Sequence, residues 1–215
     1  MSKNAVTGWL HNPLAAALGT QAKIAVLRIL WRASVPVPFR EVVRRSGMAY
    51  GSIDLALNDL LEIGLVEEVA GGRERRVFLR TSHRLAPTLM QLLQADGDFY
   101  AAFRAELRAA FRHSDLTTVV SAALVGGVAR REERIGDRID LVVIGSDRTG
   151  LELLRPRLEQ SASSMCNTFG VALHVIAYDV ETARAMWRTR TPAAERNVEG
   201  AELIAGAPLA EILGG

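Results

Sequence analysis

Two consecutive glycines, Gly126 and Gly127, stand directly behind an apolar, β-branched run and shortly before a second apolar run that carries a carboxylate. The stretch Leu124-Val125-Gly126-Gly127-Val128-Ala129-Arg130 is followed by Asp137-Arg138-Ile139-Asp140-Leu141-Val142-Val143. Residues 117–125 and 138–145 read as strands, the second of them buried. Two residues without Cβ between strands let the chain turn sharply and let backbone N–H groups approach an anion. Residues 151–168 then read as a helix, 171–178 as a third strand, and 179–187 as the start of another helix. Strands alternating with helices predict a small mixed α/β unit in this half of the chain.

Charge separates this half from the one before it. Residues 1–95 hold 12 Lys and Arg against 7 Asp and Glu, whereas residues 96–215 hold 14 against 17. A basic half followed by an acidic half suggests two domains with different partners, the basic one suited to a polyanion. The single cysteine, Cys166, excludes a disulfide framework, fits a reduced cytoplasmic setting, and reads as a small apolar residue on a helix. Residues 1–18 lack a long apolar core behind a basic segment and do not read as a signal peptide. No apolar run approaches the ~18 residues a membrane helix needs, so no membrane partner is expected.

In the first half, residues 20–33 carry Ile24, Leu27, Ile29, Leu30 and Trp31 near helical spacing, with Thr20 as N-cap. Ser34-Val35-Pro36-Val37-Pro38 breaks the helix. A short helix over 39–45 turns Val42 and Val43 inward. A third helix over 50–63 presents Ile53, Leu57, Leu60 and Leu61, and Gly64 stops it. Residues 65–69 and 76–80 alternate like strands, joined through residues 70–75 as a hairpin with a basic tip. Helix, helix-turn-helix and hairpin in this order resemble the winged helix-turn-helix, over about residues 18–82. The segment with Ser46, Gly47, Ser52, Ile53, Leu57, Leu60, Gly64, Leu65 and Val66 resembles the recognition-helix consensus of small bacterial regulators.

That resemblance implies double-stranded DNA as partner. Tyr50 and Ser52 open the third helix, where groove contacts are made. Arg44 and Arg45 end the second helix, and Arg73, Arg75 and Arg76 lie on the wing, placed for phosphates. The same helix carries Asp54, Asn58, Asp59 and Glu62, and its carboxylates oppose phosphate unless they accept from a cytosine amino group or pair with arginine. Residues 83–112 read as one or two helices, with Pro87 in the first turn and a break at Gly97. Leu85, Leu89, Leu92 and Leu93 form one stripe of this connector; Phe99, Tyr100, Phe103, Leu107, Ala110 and Phe111 form another. Such apolar stripes serve homodimerisation or intrachain packing. His83 and His113 read as surface residues.

The stretch between Gly126 and Asp140 resembles the signature of the polymerase-beta-like nucleotidyltransferase family: a Gly-Ser turn, an Ala-Arg-Gly element, a short acidic loop, then Ser-Asp-x-Asp on an apolar strand. The spacing matches residue for residue, and the resemblance covers about residues 115–210. It implies an active site in which three carboxylates hold two divalent cations. Here Gly127 stands for the family's Ser, Arg131 for its Gly, and Arg138 for the first carboxylate. Only Asp140 is kept, and His174 falls where the third carboxylate lies. A cation and an imidazole do not make a site for hard Mg²⁺. An Arg138–Asp140 ion pair is expected instead, with Asp137 pointing the other way. Gly126, Gly127, Arg130 and Asp140 are the candidate nucleotide-binding residues. The loop through Glu132, Glu133 and Arg134 reads as solvated.

The expectation is therefore an α+β chain: a winged helix-turn-helix domain over 1–82, a helical connector over 83–114 and a nucleotidyltransferase-like domain over 115–215. It reads as a cytoplasmic, homodimeric DNA-binding regulator without catalytic residues, metal or cofactor. Its C-terminal domain would serve ligand sensing, dimerisation or docking of a nucleotide or protein. The alternatives are a Mg²⁺-dependent nucleotidyltransferase acting on a small molecule or protein, and an interaction protein resembling toxin–antitoxin components.

Overall fold

The computed structural model describes residues 11, 20–69, 74–111 and 118–214. Arg73, the tip of the hairpin, His113 and Thr117 lie outside the described residues. The chain is mixed α+β with two sheets, and it forms two compact units that divide between Asp98 and Phe99.

In the first unit, helix α1 (Gln21–Trp31) buries Ile24, Val26, Leu27 and Leu30 along one stripe. Thr20 takes the N-cap position, but its side chain makes no capping bond. The proline-rich break that follows is itself structured. Strand β1 (Val37–Pro38) pairs antiparallel with β3 (Arg76–Leu79), Val37 opposite Val77. Proline has no N–H to give a ladder, but it is tolerated on an edge strand, so this short strand is invisible to a reading that treats proline only as a breaker. Helix α2 (Phe39–Ser46) buries Phe39 and Val42. Helix α3 (Tyr50–Glu62) buries Ile53, Ala56, Leu57 and Leu60, whereas Leu61 is only partly buried. Strand β2 (Val66–Glu68) completes a sheet of order β1-β3-β2. Helix, strand, two helices and a hairpin are the winged-helix order of elements.

Helix α4 (Ala86–Ala109) runs through Gly97 without the expected break. Glycine inside a helix costs ~1 kcal/mol relative to alanine. Leu93, Phe103 and Leu107 on the same helix are fully buried, and each such side chain contributes roughly 1.5–3 kcal/mol, so burial outweighs the glycine. A Cβ at Gly97 would stand 3.2 Å from the Arg32 guanidinium, the movable end of a long side chain. The first leucine stripe is not all core: Leu93 is buried and Leu89 packs against the core, but Leu85 and Leu92 are exposed. In the second stripe Phe103, Leu107 and Phe111 are buried as expected.

The second unit is built on a four-stranded sheet of order β6-β5-β4-β7. Strand β4 (Val119–Val125) leads through a four-residue helix α5 (Gly127–Arg130) to β5 (Ile139–Gly145). Helix α6 (Arg148–Phe169) returns the chain to β6 (Leu173–Asp179), parallel to β5. Helix α7 (Val180–Arg188) follows at once. Helix α8 (Pro192–Glu199), strand β7 (Glu202–Gly206) and helix α9 (Leu209–Gly214) are elements the sequence reading left out. Leu141, Val143, Leu154 and Leu158 pack on one face of the sheet; Ala123, Val125, Ile144, Ala183 and Leu209 pack on the other. Cys166 lies on α6 as read, but it is exposed rather than packed.

Side-chain oxygens start three of these helices, the Thr191 hydroxyl accepting from the Ala194 N–H at 3.3 Å to begin α8. Asp147 accepts from the Gly150 N–H at 2.8 Å to begin α6, and Asp179 accepts from the Thr182 N–H at 2.7 Å to begin α7. These backbone bonds hold both carboxyls below their ordinary range, so the stabilisation is present above the usual carboxylate pKa and is lost as pH falls through the lowered value. Replacing both with Asn, which caps without titrating, is expected to remove part of the acid-side loss of melting temperature; an unchanged pH profile would contradict the role. Gly206 closes β7 at φ +75°, and a Cβ there would stand 2.2 Å from the Val120 carbonyl oxygen. Gly206→Ala is expected to destabilise the fold by roughly 2–4 kcal/mol in urea unfolding, through backbone strain together with displacement of β4.

Candidate functional site

The register of β5 gathers one cluster at the end of the second sheet. Asp140 lies opposite Val125 on β4 and opposite His174 on β6. The Gly126-Gly127 turn therefore follows directly from the residue beside Asp140. His174 Nδ1 stands 2.9 Å from Asp140 Oδ1, and Arg138 Nε stands 3.3 Å from the same oxygen. The expected Arg138–Asp140 pair is present, and the His174 imidazole shares it. Arg138 is two-thirds exposed, so the pair is worth roughly 0–1 kcal/mol and is no structural staple. Asp137 does not belong to the cluster: its carboxylate accepts from the Arg134 N–H at 2.9 Å and closes the preceding turn.

A pair of divalent cations needs several oxygen ligands. The cluster offers one carboxylate, already bonded by a guanidinium and an imidazole. Among the described residues no group of three His, Cys, Asp or Glu is placed to hold a metal. These residues do not fit the metals that the family resemblance implies, and no metal-dependent step is derived from them.

The turn itself keeps an unusual backbone. Gly126 adopts φ 78° and ψ −144°, a region essentially reserved for glycine, at the start of α5. Arg131, the position of the family's glycine, ends α5 in the left-handed region at φ 60° and is the one non-glycine residue there among those described. Arg130 is not free to clamp a ligand on its own, because its guanidinium bonds Glu132 at 2.9 Å and Asn197 at 3.3 Å. Nor is the acidic loop simply solvated. Glu133 is buried at 1% exposure and bonds His11 Nδ1 at 3.1 Å. Nothing in local composition marks that burial, since its partner is distant in sequence.

The first unit presents a second candidate surface. Tyr50 (61% exposed) and Ser52 stand exposed at the start of α3. Tyr50 does not pack into the core; it meets the Phe39 ring edge-on at 5.1 Å. Leu55 beside them is also exposed. Arg44 and Arg45 both bond Glu41, at 2.6 Å, while remaining largely exposed. The Arg44 and Arg45 guanidiniums hold the Glu41 carboxyl well down, to about 2, so Glu41 stays ionised beside them.

Arg75 departs from the expectation of a free wing cation. Its guanidinium bonds Asp54 at 2.8 Å, Asn58 at 2.7 Å and Glu68 at 2.9 Å. It also lies over the Phe39 ring at 5.2 Å, and its carbonyl accepts from the Phe39 N–H. Two carboxylates of α3 are thus paired within the chain, Asp54 with Arg75 and Asp59 with Lys23 at 2.7 Å. Arg76 is exposed. Arg75→Ala is expected to cost roughly 1–3 kcal/mol of stability, since it strands two partly buried acceptors. Arg76→Ala is expected to stay within ±0.5 kcal/mol. Arg75→Lys should not rescue, because an ammonium lacks the planar fork. Equal melting temperatures for the Arg75 and Arg76 variants would contradict this division.

No family model matches the chain, and no curated protein matches it. Among solved structures it is similar to a transcriptional regulator of the MarR family from Silicibacter pomeroyi, at 23% identity and a TM-score of 0.34, over 50% of this chain and 84% of that one. A likeness of that size carries no functional inference. Among the described residues, no helix is long and apolar enough to cross a membrane.

Proposed function

We propose that this chain is a cytoplasmic DNA-binding transcriptional regulator, laid out as a winged helix, a helical connector and a C-terminal pseudo-nucleotidyltransferase domain. The observation that carries the reading is the Arg75 hub. By bonding Asp54, Asn58 and Glu68, it offsets part of the charge conflict that α3 would otherwise present to phosphate. Tyr50 and Ser52 are left exposed at the helix start, where side chains reach base edges. Arg44 and Arg45 supply exposed cations beside them, and the wing adds Arg73 and Arg76.

In this reading the C-terminal domain keeps the turn and the strands of a nucleotidyltransferase but serves ligand sensing, dimerisation or partner docking. The shared Asp140 carboxylate supports the loss of catalysis, since Arg138 and His174 occupy its oxygen. Gly126 and Gly127 remain the candidate contact for an anionic group such as a nucleotide phosphate.

Fluorescence anisotropy with labelled duplex DNA across a salt series tests the first half. Binding should weaken linearly in log–log form with salt, and Arg73→Ala and Arg76→Ala should each lower the slope by about 1. Salt-independent binding, or none at low salt, would overturn it. The second half predicts no Mg²⁺-dependent pyrophosphate release from nucleoside triphosphates. Release that Asp140→Ala abolishes would establish an enzyme instead.

A further inference from the structure

Strand β6 ends the second sheet, and its outer edge pairs with no strand among the described residues. Ile139 N–H donates to the Ala172 carbonyl, so by alternation the backbone groups of Leu173, Val175 and Ala177 point away from β5. The strand runs seven residues in unbroken register, with no bulge, proline or lysine. Native proteins ordinarily protect an open edge with those devices. The opposite edge strand, β7, is shorter and shifts register against its neighbour β4. Beside the β6 edge, between it and α6, lies a groove of about 580 Å³.

The charges lining that groove say what fits it. Arg148, Glu152, Arg155 and Glu159 stand in one row along α6. Within the helix they pair loosely, Arg148 with Glu152 at 3.3 Å and Arg155 with Glu159 at 3.8 Å, all four largely exposed. Read backwards, the row has the opposite sign at every position. A twofold axis between Glu152 and Arg155 therefore sets Arg148 against Glu159 of a second copy, and Glu152 against its Arg155. A twofold axis also makes the two β6 strands antiparallel, the arrangement in which outward N–H and C=O groups bond reciprocally.

We infer that the occupant of this edge is a second copy of the chain, joined β6 to β6 in one eight-stranded sheet with the two α6 rows in ion-pair contact. This names a surface for the dimerisation role in the reading above. Its test runs without DNA, so failure here and failure of DNA binding are distinguishable.

Light scattering of the full chain over a concentration series should show a species of twice 23.4 kDa. Glu152→Arg and Arg155→Glu, made singly, place like charges across the axis and should raise the dimer dissociation constant by at least about tenfold. The double variant restores complementarity between copies while leaving like charges adjacent within each helix. The interface therefore predicts that the double variant dimerises again, whereas a purely intrahelical role predicts that it is worst. Ala177→Pro removes an outward N–H without touching the β5 ladder, and should give a folded monomer by circular dichroism and scattering. Should that variant fail to fold, the charge set decides alone. A wild-type monomer throughout, a dimer indifferent to the charge variants, or a double variant weaker than both singles would each overturn the inference.

Discussion

Pairing of β5 on both sides is the constraint on which the C-terminal unit depends. Asp140 is fixed between Val125 and His174 by two independent ladders, one antiparallel and one parallel. A slip of one residue in either would turn the carboxylate to the opposite face and bury it among leucines. Because both ladders agree, the Gly126 turn, Arg138, Asp140 and His174 meet at one place without any of them being strongly bonded to another. The cluster is positioned by the backbone rather than by its own charges.

The first unit uses charge in the opposite way. Arg75 draws three acceptors together and stacks on Phe39, so one side chain ties α3 to the hairpin. Competition decides which arginines are available to a polyanion. Arg75, itself only 28% exposed, is committed by three bonds. Arg44 and Arg45, at 73% and 51% exposed, share the single carboxylate of Glu41. Equal formal charges thus divide into structural and available ones, and the burial of the guanidinium distinguishes them.

Most of the elements were legible from pattern, because helices α1 to α3 bury one stripe each and strands β4 and β5, covered on both faces, read as continuous apolar runs. The Asp140 cluster was legible from spacing, since residues two apart on a strand share a face and His174 fell opposite. Four features were not. Strand β1 is two residues long and holds a proline. Strand β7 is partly buried, short, and pairs with a strand about 80 residues earlier, so local pattern does not announce it. Gly97 looked like a break because propensity carries no knowledge of Leu93 and Phe103 on either side. The partners of Arg75 and Glu133 are distant in sequence, and no local rule reports such bonds.

Arg131 carries a wider consequence. An arginine held at φ 60° bears a steric cost of order 1 kcal/mol that glycine would not, and it sits there all the same. The shape of the loop is therefore set by the strands that anchor its ends rather than by the residue that would fit it best. Contour and chemistry in this loop are separable properties. A protein built this way can change the side chains its loop presents while the underlying architecture stays still.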